Sequence, residues 1–158
     1  MAGDALSWLE HRVPPPLVGL VTALLMAWAA GGPEWQVPTG ANGLSVLLLV
    51  VVGLSFDLAG LLAFRASRTT VNPLRPERAS ALVTRGVYRI TRNPMYVGMV
   101  FLLLAWGVYL AHWPALLLGP VAYVLYLTRF QIAPEERVLL GLFGEEYRAY
   151  MARVRRWL

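Results

Sequence analysis

Four long apolar stretches dominate the chain and leave it few ways to fold. They run from about Val13 to Ala30, Leu44 to Phe64, Met95 to Ala111 and Pro114 to Phe130. Each holds about 17–21 residues, near the ~20 that carry a helix across ~30 Å of hydrocarbon. In lipid every backbone N–H and C=O must be paired within the protein, so only helices and closed barrels cross it. The stretches lack the alternation of barrel strands. The expected fold class is therefore all-α: an integral membrane bundle of about four transmembrane helices plus a C-terminal amphipathic interfacial helix, with residues 1–158 as a single domain. Composition agrees, at 58% hydrophobic and 15% charged residues and a mean hydropathy of +0.55. A soluble core of this size cannot hide that much apolar surface, which argues against a soluble enzyme or a disordered chain. Cysteine is absent, so disulfides, thiolate catalysis and cysteine-based metal sites are excluded, and no metal centre is expected.

The first stretch reads as a retained membrane helix rather than a cleaved leader. Asp4 and Glu10 offset Arg12 ahead of it, and it is long for a leader. All 14 basic residues are arginine, against 9 acidic residues. They lie beside the apolar stretches, which points to lipid headgroups rather than nucleic acid. The loops 31–43 and around His112-Trp113-Pro114 have no arginine. The segment 65–93 carries Arg65, Arg68, Arg75, Arg78, Arg85, Arg89 and Arg92, and the tail beyond Leu127 carries six more. This asymmetry places both termini and the long middle segment in the cytoplasm, at the plasma membrane if the source is a prokaryote.

From Glu135 onward, Phe143, Tyr147, Tyr150, Met151, Val154 and Trp157 recur at helical spacing opposite Arg148, Arg155 and Arg156. That is the pattern of a helix at headgroup level, with Gly144 a point where it can break. Asn72-Pro73-Leu74-Arg75-Pro76 reads as an extended linker. Two polar clusters, about residues 69–98 and 133–157, flank the third and fourth stretches. If those stretches form a hairpin, the clusters meet at one membrane surface and make a pocket half in water and half in lipid.

The motifs Arg85-Gly86-Val87-Tyr88-Arg89, Arg92-Asn93-Pro94-Met95-Tyr96-Val97-Gly98, Glu135-Glu136 and Phe143-Gly144-Glu145-Glu146-Tyr147 occur in that order. Over residues 69–157 the chain resembles the integral-membrane methyltransferases that include isoprenylcysteine carboxyl methyltransferase and phospholipid N-methyltransferases. The resemblance implies an S-adenosylmethionine-dependent methyltransferase acting on a lipophilic acceptor, whether carboxylate, amine or thiol, among membrane lipids. It implies cofactor binding by Arg89, Arg92, Asn93, Tyr96, Gly98, Glu135 and Glu136, with Arg92 and Tyr96 also placed at the reaction. The chemistry is compatible: glutamates suit an ammonium and ribose hydroxyls, arginine suits a carboxylate, and tyrosine suits adenine or a sulfonium.

Each of these residues has a second reading. Arg89 and Arg92 fit lipid phosphates, the glutamate pair fits a solvated helix N-terminus, Tyr88 and Tyr96 fit interfacial aromatics, and Gly98 fits close helix packing. Many family members carry histidine where Asn93 stands, so a histidine base is not expected here, and an already anionic acceptor, or loss of the acceptor's proton to water, is favoured. Asp57 matches no family motif. It lies deep in the second stretch, where a carboxylate costs on the order of 2.5–3.5 kcal/mol, and it is taken as a catalytic candidate beside a purely structural alternative. The competing functions are a small four-helix transporter, with Asp57 as its coupling carboxylate, and a noncatalytic membrane subunit.

Overall fold

In a computed structural model, the described residues are 10, 12–33, 37–67 and 81–158. The linker at 72–76, the leader before Glu10, His11, and Arg68, Arg75 and Arg78 lie outside them. Five α-helices follow one another: α1 (Pro15–Ala29), α2 (Gly40–Ala66), α3 (Pro94–Tyr109), α4 (Trp113–Leu127) and α5 (Ala133–Arg153). A short 3-10 turn, Gly86–Arg89, precedes α3, and a π turn, Thr128–Ile132, joins α4 to α5. No strand occurs among the described residues; Thr91 and Arg155 form one isolated parallel bridge.

The helices begin where the chemistry directs. Proline stands at the first turn of α1, α3, α4 and α5, where its missing N–H costs nothing. His112 caps α4, its Nδ1 accepting from the Ala115 amide at 3.2 Å. Pro120 lies inside α4. Compared with the sequence expectation, α2 is longer at both ends. The α1 and α3 helices, at 15 and 16 residues, reach only about 22–24 Å at 1.5 Å per residue. α2 and the run from α4 into α5 are long and apolar enough to cross a membrane, and α1 and α3 are shorter apolar helices.

α3 occupies the centre, touching α1, α2 and α4. Small residues permit this. A Cβ on Gly53 of α2 would stand 2.9 Å from the Gly98 carbonyl of α3, and one on Gly98 would stand 2.7 Å from the Gly53 carbonyl. Backbones this close are typical of helices that associate without a hydrophobic drive between them. Trp106 of α3 donates to the Ala23 carbonyl of α1 at 2.9 Å, and Phe56 stacks on Phe101. The outward faces are apolar instead of polar. On α2, Leu44, Leu47, Leu48, Val51, Leu54, Leu58 and Leu62 are all more than half exposed, and Leu24, Leu118 and Leu125 extend the same surface over α1 and α4. Unbroken apolar faces of this kind suit lipid, not water.

Candidate functional site

The bundle's polar end is where α2 finishes, α3 starts and α4 runs into α5. The π turn keeps α4 and α5 continuous while shifting their register, and such turns often sit at functional sites. Gln131 and Ile132 within it are almost fully buried. The next turn carries Glu135 and Glu136 toward the residues just ahead of α3. The pair is not a solvated helix end: Glu136 is 8% exposed. Its Oε1 stands 3.0 Å from Arg92 Nη2. Arg156 completes the group, donating to Glu136 at 3.0 Å through Nε and at 2.5 Å through Nη2.

Arg156 gets there because α5 does not continue to the end of the chain. The helix kinks at Gly144, where φ is 49°, and stops at Arg153, with Val154 extended. The last residues form a strap across the start of α3. The Arg92 amide donates to the Arg155 carbonyl at 2.9 Å. The Arg156 carbonyl accepts from Thr91 Oγ1 at 3.2 Å and from Asn93 Nδ2 at 2.9 Å. Trp157 Nε1 donates to Thr128 Oγ1 in the π turn at 3.2 Å. The aromatic face of α5 turns onto the protein: Tyr147 and Tyr150 are buried, and the Tyr150 hydroxyl donates to the Tyr88 carbonyl at 2.7 Å. Tyr88 in turn meets Phe64 of α2 edge-on at 5.5 Å.

The cluster is incompletely satisfied. Arg92 Nε and Nη1 and Glu135 Oε2 are buried without a partner. Burial, and then repulsion from Glu136, pushes the Glu135 carboxyl up from its ordinary 4.5 to about 7, opposed by a hydrogen bond from Tyr96. Burial also raises the Tyr147 and Tyr150 hydroxyls, so both are neutral donors at physiological pH. Hydrogen bonds to Glu136 hold the Arg156 guanidinium in its charged form.

The residues predicted from sequence divide into three groups. Arg92, Tyr96, Glu135 and Glu136 come together, and Tyr96 bonds to both Glu135 and Gln131. Asn93 borders this group, its side chain holding the strap. Asp57 and Gly98 lie deeper: a Cβ on Gly98 would strike the Asp57 carboxylate, so this glycine admits α2. Gly98 lies one turn past the start of α3, so Asp57 stands deeper in the bundle than the cluster. Arg89 is exposed and lines a separate cleft. Arg156, Thr91 and Gln131 were not among the expected site residues. The sequence pattern places Arg156 on the headgroup face of a helix; the chain's return across α3 brings it to Glu136 instead. No group of three or more metal-ligating side chains occurs among the described residues.

Residues 43–146 match the model of the phospholipid methyltransferase family. The chain belongs to that family. The matched span contains Asp57 and every expected site residue, while Arg156 lies beyond it. An uncharacterized protein of Haemophilus influenzae is 45% identical over 64 residues, 40% of this chain and the whole of that protein. A probable protein-S-isoprenylcysteine O-methyltransferase of Oryza sativa subsp. indica is 33% identical over 111 residues, 68% of this chain and 56% of the relative. Protein-S-isoprenylcysteine O-methyltransferase B of Arabidopsis thaliana is 30% identical over 111 residues, 54% of its length. The chain thus spans little more than half of its plant relatives. Within the matched span it carries the arginine-asparagine-proline turn ahead of one apolar helix and the paired glutamates after the next.

Proposed function

We propose that the protein transfers a methyl group from S-adenosylmethionine to a lipophilic acceptor at the cytoplasmic face of a prokaryotic plasma membrane, with both termini in the cytoplasm. The observation that carries this reading is the buried cluster with complementary unpartnered atoms, Arg92 Nε and Nη1 beside Glu135 Oε2. These atoms fit the amino-acid end of such a cofactor. A guanidinium with free N–H groups takes a carboxylate through paired bonds, and a carboxylate oxygen takes an ammonium or a ribose hydroxyl. In this reading Arg92 binds the carboxylate, Glu135 binds the ammonium, and Glu136 with Arg156 fixes the Arg92 side chain. Asn93 steadies the strap, Tyr96 presents its ring to the positive charge, and Gly98 lets α2 close on α3.

When bound, the cofactor supplies a methyl carbon made electrophilic by its sulfonium. The chain itself supplies alignment and a water-poor wall, chiefly the buried rings of Tyr88, Tyr96, Tyr147 and Tyr150. The apolar outer faces let an acceptor approach from the bilayer. His112 caps α4 at the opposite end and serves as no base here. An acceptor carboxylate needs none; an amine or thiol would release its proton to water. Asp57, deeper in the bundle beside Gly98, is assigned to the acceptor's polar group.

The test is binding of radiolabelled S-adenosylmethionine to purified protein in detergent, followed by transfer of label into a lipid extract. Saturable binding that is lost in Glu136→Ala and Tyr96→Ala, with label recovered in lipid, supports the reading. No binding at millimolar cofactor overturns it, as does binding with no transfer to any lipid fraction. Asp57→Asn should slow transfer while leaving cofactor affinity unchanged.

A further inference from the structure

Tyr150 separates two environments. Its hydroxyl turns back to the Tyr88 carbonyl. Its other side lines a cleft of about 570 Å³ formed with Thr84, Arg85, Gly86, Arg89 and Arg153. The 3-10 turn brings Arg85 and Arg89 to one wall, and the last residue of α5 brings Arg153 to the other. Among the described residues no carboxylate lines the cleft, and none of the three arginines is in an ion pair with another described residue. Arg153 spends one N–H on its own helix, donating from Nε to the Ala149 carbonyl at 3.2 Å, which leaves its terminal nitrogens to the cleft. Three like charges around one hollow repel one another, and an anion relieves that repulsion. Five other arginines find carboxylates: Arg129 and Arg137 share Glu10, Arg148 takes Glu145, and Arg92 and Arg156 share Glu136.

The surroundings narrow the choice of anion. Ile90, next to Arg89, is 59% exposed. Val154 lines the cleft beside the arginines, and Tyr88, within the same turn, packs on Phe64 near the end of α2. A ligand here meets guanidinium groups and an apolar surface together, which is the chemistry of a lipid whose headgroup bears phosphate. We propose that this cleft binds the phosphate of an anionic phospholipid, at a site distinct from the Arg92–Glu136 cluster and independent of methyl transfer. With three cations available, a doubly charged headgroup such as phosphatidic acid is preferred over a zwitterionic one. Bound there, the lipid clamps the end of α5, and with it the strap, to the turn that leads into α3.

Native mass spectrometry of the full chain in detergent tests this with phosphatidic acid, phosphatidylcholine of the same acyl length, and inorganic phosphate as probes. One phosphatidic acid should bind more tightly than phosphatidylcholine. Its affinity should fall about 10- to 30-fold in the double variant Arg85→Gln/Arg153→Gln, at roughly 1 kcal/mol per arginine near an anionic lipid. The double variant Arg65→Gln/Arg148→Gln loses the same charge outside the cleft and should bind like wild type. Equal loss in both pairs, or none in the first, overturns the proposal. Inorganic phosphate that binds as well as the lipid and displaces it keeps the phosphate chemistry but overturns the lipid assignment. A photoreactive phosphatidic acid on the wild-type protein gives an answer that needs no variant. Labels on residues 84–90 and 149–154 support the site, and labels confined elsewhere overturn it.

Discussion

The Glu135 carboxyl gives the sharpest test of the buried cluster, because its burial should make the free protein's stability depend on pH in an unusual direction. In the folded chain this group is raised from 4.5 to about 7, mainly by burial and then by Glu136. Between those values the native state holds a proton that the unfolded chain has released, so stability falls as pH rises through that window. At about 1.36 kcal/mol per pH unit the full effect is about 3 kcal/mol. For a chain of this length that corresponds to about 6–12 °C in Tm. Glu135→Gln keeps the shape, removes the titration and should abolish this component. The assay is thermal unfolding of both proteins in the same detergent from pH 5 to pH 8, with no cofactor present. The wild-type curve should drop relative to the variant's as pH rises and level off above about 7.5. Cofactor affinity should move the opposite way. Only the ionised carboxylate attracts an ammonium, so wild-type binding should weaken about tenfold per pH unit below about 7, a dependence absent from Glu135→Gln. Parallel melting curves for the two proteins would refute the claim that Glu135 is held in a desolvated pocket.

Three further outcomes follow from the packing. Glu136→Ala leaves the Arg92 and Arg156 guanidiniums facing each other with Arg92 buried; losing one partner of a buried ion group costs about 3–5 kcal/mol, read as a lower melting temperature in detergent. Gly98→Ala pushes a methyl against the Asp57 carboxylate and the Gly53 carbonyl, and backbone cannot yield as a side chain can. It should destabilise by about 1–3 kcal/mol, and a variant as stable as wild type in the same melt would disprove the close α2–α3 crossing. Tyr150→Phe removes the buried bond to the Tyr88 carbonyl. It should cost about 1–3 kcal/mol and speed hydrogen exchange in the 86–91 segment more than in α1.

The apolar lengths were legible in the sequence because hydrocarbon thickness is an external ruler. The four stretches and the hairpin they form emerge within a few residues of the observed helices. The coming together of Arg92 with Glu136 was legible too, since a hairpin brings the start of one helix beside the end of the next. What hydropathy does not reveal is how a polar end is wired. Tyr147 and Tyr150 have the spacing of a headgroup-facing stripe, yet they are buried against Tyr88. The same amphipathic pattern serves lipid or protein equally well, and only the kink at Gly144 decides between them. Gly98 sits within a motif but spends its missing side chain on α2, because a helix has several faces and a motif read in one dimension does not say which of them looks at a ligand.

Arg156 shows the same ambiguity with larger consequences. Three arginines within four positions, Arg153, Arg155 and Arg156, look interchangeable in sequence, yet each has a different task. Arg153 faces the open cleft. Arg155 lends its carbonyl to the Arg92 amide, and the Arg156 side chain neutralises the carboxylate that orients Arg92. The difference arises where the helix ends at Arg153 and the chain becomes extended, since alternation then sends successive side chains to opposite sides. One change of backbone geometry thus assigns one arginine to the inner cluster and another to the outer cleft. Arg156→Gln should remove the second cation and leave Glu136 with Arg92 alone. The strap is therefore part of the cluster's electrostatics as much as of its packing, because without it Glu136 faces a single cation and the arrangement that holds Arg92 buried and open on two nitrogens is lost.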